Sequence, residues 1–108
     1  MNKYETTFLA WIDEQREINY FSKQQLDLAN SIWKNLKNYG NYPTPTAMVG
    51  EDNCLSLSWN PKYFSIVIEI HSDDRLEWWS AKSGAIDYKE GSGSTEEIVE
   101  QIVSIHNI

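Results

Sequence analysis

The sequence predicts an α+β domain: two N-terminal helices, an antiparallel meander of four to five strands, and one C-terminal helix packed on one face of the sheet. Three observations predict it. Apolar residues recur at helical spacing in the first third of the chain, alternate with polar residues from about residue 47 to 88, and return to helical spacing after residue 94. Consecutive strands joined by tight turns favour antiparallel pairing. The 108 residues fit one domain, 1–108.

The N-terminal third contains two amphipathic stripes. The first has apolar residues spaced by three or four, and a break near residue 20 ends it. Ser22 and Gln25 form a capping-box pattern that opens a second helix, which Gly40 and Pro43 end. The two stripes predict two helices, although one long kinked helix fits the pattern as well. The apolar residues are Tyr4, Phe8, Trp11 and Ile12 in the first stripe, and Leu26, Ala29, Ile32, Trp33 and Leu36 in the second.

Alternation predicts strands at residues 47–49, 55–59, 64–71, 76–81 and 85–88, with turns between them. Residues 90–94 look like a flexible loop, and Ser94 with Glu97 forms a second capping box that opens the last helix. The helices are expected to cover the face that carries Leu57, Trp59, Ile66, Ile68 and Trp78. The opposite face is expected to carry Ser56, Ser58, Val67, Glu69, Glu77, Trp79 and Asp87.

The net charge of −7 is unevenly distributed. Residues 1–43 hold five acids and five bases, whereas residues 44–108 hold eleven acids and four bases. Direct binding to nucleic acid or to an anionic membrane is disfavoured, because both require a basic patch. The chain shows no membrane-length apolar run and no secretory pattern at its start, and its one cysteine, Cys54, cannot form an internal disulfide. A cytoplasmic protein is expected.

The meander also predicts where the charges meet. Alternate turns of a meander lie at the same end of the sheet, so Glu51 and Asp52 should neighbour Asp73 and Asp74, with Glu90 close by. The opposite end should receive Lys62 and Lys82. The acidic end has two interpretations: Asp is a good turn former that also aids solubility, or the carboxylates dock on a basic surface of a partner.

Residue types that carry catalysis or bind metals form no recognised motif here. Cys54 has no basic neighbour in sequence, so a buried strand cysteine is expected rather than a nucleophile. His71 is expected at the surface, with a weak metal site formed by His71, Asp73 and Asp74 as the alternative. His106, near the end of the last predicted helix, is expected to interact favourably with the dipole of that helix and to have no other role. No catalytic residue, metal or cofactor is therefore predicted, and an enzyme is not expected.

Trp79 stands apart from the other tryptophans of the strands. Trp59 and Trp78 fall on the core phase of their strands, whereas Trp79 falls on the opposite phase beside Glu77. Tryptophan is enriched at interface hot spots, so Trp79 is the preferred single interface residue. The competing interpretation is that the C-terminal segment covers Trp79 and shields it from solvent.

Several stretches resemble small bacterial α+β proteins without an assigned activity. They are Pro43-Thr44-Pro45, the Leu55-Ser56-Leu57-Ser58-Trp59 strand, the Ser65-Ile66-Val67-Ile68-Glu69-Ile70 strand and Leu76-Glu77-Trp78, within residues 43–79. This resemblance implies an α+β sheet fold. In size, acidity and lack of catalytic motif the chain is also similar to phage-encoded inhibitors of bacterial defence, including anti-CRISPR proteins. Those inhibitors share no common motif, so the likeness assigns no residue a role.

Three functions follow as hypotheses. The first is a protein-binding inhibitor whose carboxylates replace phosphates on a nucleic-acid-binding partner. The second is an antitoxin, immunity or chaperone-like protein that holds one cognate partner through the outer sheet face. The third is a small enzyme or metal binder that uses His71, Asp73 and Asp74. A homodimer through the edge strands is a further arrangement that an open sheet allows. The residues expected to bind the partner are Glu51, Asp52, Asp73, Asp74, Glu77, Trp79 and Glu90.

Overall fold

Three helices and one five-stranded sheet make up the described part of the chain, residues 2–40, 42–59, 64–82 and 89–105 of this computed structural model. The helices are α1 (Lys3–Ile18), α2 (Lys23–Lys37) and α3 (Thr95–Ile105). The strands are β1 (Thr46–Val49), β2 (Leu55–Trp59), β3 (Phe64–Ile70), β4 (Leu76–Lys82) and β5 (Lys89–Ser92). The sheet order is β1-β2-β3-β4-β5 with antiparallel neighbours, which confirms the predicted α+β meander. No helix in these ranges is long and apolar enough to cross a membrane.

Local sequence signals set the helix boundaries. Asn19, in the left-handed region at φ 68°, ends α1 and confirms the break near residue 20. At the start of α2, Ser22 Oγ accepts a 3.0 Å hydrogen bond from Gln25 N, and Gln25 Oε1 accepts a 2.9 Å hydrogen bond from Ser22 N. Ser94 and Glu97 make the same reciprocal pair, each bond 3.2 Å long, before α3. Both predicted capping boxes are therefore present.

The last described strand includes residues that the sequence analysis assigned to a loop. β5 contains Lys89–Ser92, so the prediction of a flexible loop starting at residue 90 is wrong. The strand predicted at 85–88 lies outside the described residues, which resume at 89. Gly91 opposes Trp78, and a Cβ at Gly91 would lie 2.8 Å from Trp78 Nε1. Glycine usually signals a loop, but here it lets a strand pass close to an indole ring.

The core fills the space between the helices and one face of the sheet. α1 contacts β1, α2 contacts β2 and β3, and α3 contacts α2 and β4. Trp59 is 1% exposed and Trp78 is 6% exposed, which confirms their predicted core positions. Trp59 Nε1 also donates a 2.8 Å hydrogen bond to Pro43 O, which ties the connector before β1 to the sheet. The fully buried strand residues include Leu55, Leu57, Ile66, Ile68 and Ile70.

The buried stripe of α1 differs from the predicted one at its first turn. Tyr4 is 75% exposed, whereas Glu5 is buried together with Phe8 and Ile12. Glu5 Oε2 accepts hydrogen bonds from Trp33 Nε1 at 2.7 Å and from Lys37 Nζ at 2.9 Å. The carboxylate tolerates this position because both donors on α2 replace lost water. Glu5 therefore fastens α1 to α2.

Gln25 fastens α2 to the sheet. Its side chain is 1% exposed, and its Nε2 donates to two backbone carbonyls, Asn53 O at 2.8 Å and Ile70 O at 3.0 Å. Asn53 ends the turn between β1 and β2, and Ile70 ends β3. Because Oε1 also accepts from Ser22 N, the amide satisfies three backbone groups at once.

We predict that Glu5 makes the free energy of unfolding depend on pH in the acid range. Hydrogen bonds from Lys37 and then Trp33 lower the pKa of Glu5 below its ordinary value of 4.5. A carboxyl group whose pKa is lower in the folded protein stabilises the fold at pH values above its unfolded-state pKa. That stabilisation is lost as the pH falls through the folded-state pKa. Urea unfolding at stepwise lower pH should show a smaller acid-dependent loss in Glu5→Gln than in the wild type. Glu14→Gln, an exposed change on the same helix, should keep the wild-type profile; an unchanged profile in Glu5→Gln would contradict the prediction.

We predict that Gln25→Met lowers the free energy of unfolding by about 2–4 kcal/mol, because it strips buried carbonyls of their donor. Urea unfolding followed by circular dichroism measures this change. Gln24→Met is the matched control, since Gln24 is exposed on the same helix turn and the substitution should be nearly neutral. Equal stabilities of the two variants would show that the amide contributes little.

Candidate functional site

The outer face of the sheet points away from the three helices. It is formed by Ser56, Ser58, Val67, Glu69, Glu77, Trp79 and Glu90, all exposed or half-buried. The register places Ser56, Glu69 and Glu77 in one row across the sheet. A second row runs through Ser58, Val67, Trp79 and Glu90. The predicted face is therefore present, except that Asp87 lies outside the described residues.

Trp79 lies near the middle of the outer face. Its side chain is 38% exposed, as the alternation of β4 predicts. Val67 opposes it on β3, and Glu90 opposes it on β5. A large, partly exposed aromatic ring thus lies between an apolar and an acidic neighbour, and tryptophan is a residue type enriched at interface hot spots.

The predicted acidic end of the sheet consists of Glu51, Asp52, Asp73 and Asp74. Glu51 and Asp52 lie in a 3₁₀ turn between β1 and β2, and Asp73 and Asp74 lie in the turn between β3 and β4. Leu55 pairs with Ile70, so both turns leave the sheet at the same end. The amide of Gln25, bonded to the carbonyls of Asn53 and Ile70, holds them side by side.

The meander also predicts the positions of three other charged residues, Glu90, Lys62 and Lys82. Glu90 opposes Trp79 within the β4–β5 ladder, so it lies on the outer face rather than in the acidic turns. The reason is that Glu90 belongs to β5 and not to a loop. Lys62 and the side chain of Lys82, expected at the opposite end, lie outside the described residues.

Backbone geometry explains why two positions of the acidic end are occupied by Asp. Asp52 has φ 53° and Asp74 has φ 70°, both in the left-handed region. Asp and Asn tolerate this region better than most residues. The turns therefore select Asp or Asn at these positions, and the negative charge is the property that the backbone does not require.

Arg75 engages part of the acidic charge. Its Nε lies 2.9 Å from Asp73 Oδ2, and its Nη1 lies 3.4 Å from Glu77 Oε1. The side-chain and backbone hydrogen bonds from Arg75 lower the pKa of Asp73 below its ordinary value of 3.8. The charge that the acidic end presents outward therefore comes mainly from Glu51, Asp52 and Asp74.

The structure joins Cys54 and His71, which the sequence analysis treated separately. Cys54 Sγ lies 3.0 Å from His71 Nδ1, and His71 Nε2 lies 2.7 Å from Glu77 Oε1 and 4.0 Å from Glu69 Oε2. The structure makes His71 half-buried rather than fully exposed, with 19% of its side chain exposed. In the alternative site of His71, Asp73 and Asp74, Asp73 instead accepts a hydrogen bond from Arg75. Extending the Leu55–Ile70 register by one residue would have placed Cys54 beside His71.

Cys54 is buried as predicted, at 4% exposure. Burial raises the pKa of its thiol above the ordinary value of 9.0, and the negative charges of Glu69, Asp52 and Glu77 raise it further. A catalytic cysteine needs the opposite shift, because the thiolate is the nucleophile. The raised pKa therefore leaves Cys54 as a neutral thiol that is not activated as a nucleophile.

Comparisons of this chain with protein-family models, with curated proteins and with solved structures gave no match.

We predict that repulsion between Glu69 and Glu77 on the outer face lowers the stability of the free protein. Glu69 and Glu77 oppose each other directly on β3 and β4, and like charges at opposed positions destabilise a sheet. In metal-free buffer at low salt, Glu69→Gln should raise the free energy of unfolding by about 0.2–1 kcal/mol. Added salt should shrink the difference by screening it. Ser56→Ala, in the same row, carries no charge change and should show no such salt dependence; a destabilised Glu69→Gln would contradict the prediction.

Proposed function

We propose that this protein is a binding module that inhibits a nucleic-acid-binding effector, of the kind that phages direct against bacterial defence. The observation that supports it is the set of acidic residues on two turns at one end of the sheet and on the outer face beside them. The set consists of Glu51, Asp52, Glu69, Asp73, Asp74 and Glu77. In the described ranges, the basic groups within ion-pair distance of them belong to Arg75 and His71.

The chemistry of such a surface matches that of a nucleic-acid backbone. A protein that binds nucleic acid presents lysine and arginine to closely spaced phosphates. Carboxylates fixed on turns and strands offer the same groups a row of anionic acceptors, and charge-assisted hydrogen bonds to them are strong. Complementary charge of this type also accelerates association and makes it sensitive to salt. The partner class is therefore a protein with an exposed basic groove.

Rigidity supports the same proposal. Glu69 and Glu77 lie on central strands, and Gln25 fixes the backbone beside both acidic turns. A surface ordered before binding loses less conformational entropy when the partner docks. Opposed glutamates that cost stability in the free protein would gain partners in the complex. The repulsion is then relieved when binding occurs.

Trp79 supports a second candidate, an antitoxin, immunity or chaperone-like protein that holds one cognate partner. An indole 38% exposed in the middle of a sheet face is a large apolar group in contact with water. Burial of such a group in a partner's pocket gives affinity that does not depend on salt. The two candidates share a surface and differ in whether charge or apolar burial dominates.

The test uses a partner captured on the full-length chain from nuclease-treated bacterial lysate, then purified and identified. We predict that it binds nucleic acid and that DNA or RNA competes with the chain for it. Neutralising Glu51→Gln, Asp52→Asn and Asp74→Asn together should weaken binding about tenfold at low salt, since each exposed pair contributes about 0.2–1 kcal/mol. Asparagine keeps the left-handed backbone at residues 52 and 74. Calorimetric titration at low and high salt measures the effect.

The matched control removes the same charge elsewhere. Asp13→Asn, Glu14→Gln and Glu17→Gln change three exposed acids on α1 and should leave affinity unaltered. Salt-resistant binding without competition by nucleic acid would overturn the mimicry proposal. In that case Trp79→Ala should cost about 2 kcal/mol or more of binding free energy if the cognate-partner candidate holds. Tyr4→Ala, 75% exposed on α1, controls for the loss of an exposed aromatic ring.

A further inference from the structure

Four side chains with metal-binding atoms meet where the outer face reaches the acidic end. Cys54 precedes β2, Glu69 lies on β3, His71 follows β3, and Glu77 lies on β4. One ligand atom each from Cys54, Glu69 and His71 can be chosen so that all lie within 4.8 Å of one another. Glu77 Oε1 lies 2.7 Å from His71 Nε2. Residues from three segments of the chain therefore converge on one small volume.

The cluster is incompletely satisfied without a cation. His71 Nε2 is shielded from solvent, and its close contact with Glu77 lies outside hydrogen-bonding geometry. Glu69 and Glu77 face each other across the ladder as like charges. Arg75 partly offsets Glu77 through a 3.4 Å ion pair, whereas Glu69 lies 4.0 Å from the nearest ring nitrogen of His71. A divalent cation would supply positive charge between the two carboxylates.

The donor set indicates which cation. Sulfur, imidazole nitrogen and carboxylate oxygen are the ligands of Zn²⁺, while Ca²⁺ and Mg²⁺ prefer oxygen alone. Ligand atoms around tetrahedral zinc lie about 3.4–3.6 Å apart, from bond lengths of about 2.3 Å to sulfur and about 2.0–2.2 Å to nitrogen and oxygen. The ligand atoms of the present cluster lie within 4.8 Å of one another, and Cys54 Sγ and His71 Nδ1 are 3.0 Å apart, so their separations bracket that spacing. The carboxylate of Glu69 can rotate, because its side chain is 46% exposed.

The backbone on both sides of the cluster is fixed in advance. Gln25 binds the carbonyls of Asn53 and Ile70, the residues immediately before Cys54 and His71. The N–H of Cys54 bonds Glu51 O at 3.0 Å, and the N–H of His71 bonds Arg75 O at 2.9 Å. Rigid support of this kind keeps ligands in place and favours metal affinity.

We propose that Cys54, Glu69 and His71 form a binding site for a divalent transition metal, with Zn²⁺ the best match. Glu77 completes the site, either as the fourth ligand or as the carboxylate that orients the imidazole of His71. This differs from a site built on His71, Asp73 and Asp74, because Asp73 is engaged by Arg75. The proposal does not rest on the partner proposed above, but the two share carboxylates: a metal bound by Glu69 and Glu77 would neutralise charge that a basic partner would otherwise contact.

The experiment uses the purified full chain, stripped with a chelator. Titration with Zn²⁺ against a competing chromophoric chelator should show one equivalent bound, and Mg²⁺ in excess should not displace it. Co²⁺ should give thiolate-to-cobalt charge-transfer absorption. Cys54→Ser should abolish that absorption, and His71→Gln should weaken binding of Zn²⁺ by well over tenfold. Glu77→Gln should weaken it by about 10–100-fold if Glu77 only orients His71.

Controls separate loss of the site from loss of the fold. Glu90→Gln removes a carboxylate from the same face away from the cluster and should bind Zn²⁺ as the wild type does. Circular dichroism of each metal-free variant establishes that it folds, and His71→Gln, at a partly exposed position, provides the test if Cys54→Ser does not fold. Absence of stoichiometric binding would overturn the proposal. Wild-type affinity in folded Cys54→Ser or His71→Gln, or displacement of Zn²⁺ by Mg²⁺, would overturn it equally.

Discussion

The side-chain amide of Gln25 is the interaction on which the candidate surface depends. It caps α2 through Ser22 and donates to the carbonyls of Asn53 and Ile70, 28 and 45 residues further along the chain. One buried amide thereby sets how the helix meets the sheet and how two acidic turns lie beside each other. A hydrophobic residue would fill the same space but would leave the carbonyls unsatisfied, which is costly in a core.

The fold separates stability from surface chemistry by using the two faces of the sheet differently. The inner face carries the aliphatic and tryptophan side chains that exclude water, and the helices complete this layer. The outer face carries serines, opposed glutamates and an exposed indole. Nothing in the inner layer requires the carboxylates of Glu69 and Glu77 to face each other. Both proposals, binding of a basic protein surface and binding of a metal ion, rest on this arrangement.

Local signals explain which elements were predictable. Helical periodicity, the Ser22–Gln25 and Ser94–Glu97 capping boxes and the alternation of β2 to β4 act within a few residues, so they can be recognised without knowing the fold. The errors arose where a distant residue decided the outcome. Glu5 replaces Tyr4 on the buried stripe because Trp33 and Lys37 supply donors. Residues 89–92 pair with β4, and at Gly91 the lack of a side chain leaves room for the indole of Trp78.

The candidate sites show the same difference between features that local sequence signals predict and features that contacts between distant residues decide. The sequence by itself determined the fold class, the excess of acid in the second part of the chain and the outward phase of Trp79, because composition and alternation are local properties. The order of the meander also follows from short turns. Only the tertiary structure placed Cys54 against His71, moved Glu90 beside Trp79 and joined Asp73 to Arg75. Those contacts depend on strand register and on side-chain direction. Both are established only when the sheet packs against the helices, where Gln25 of α2 bonds the sheet backbone.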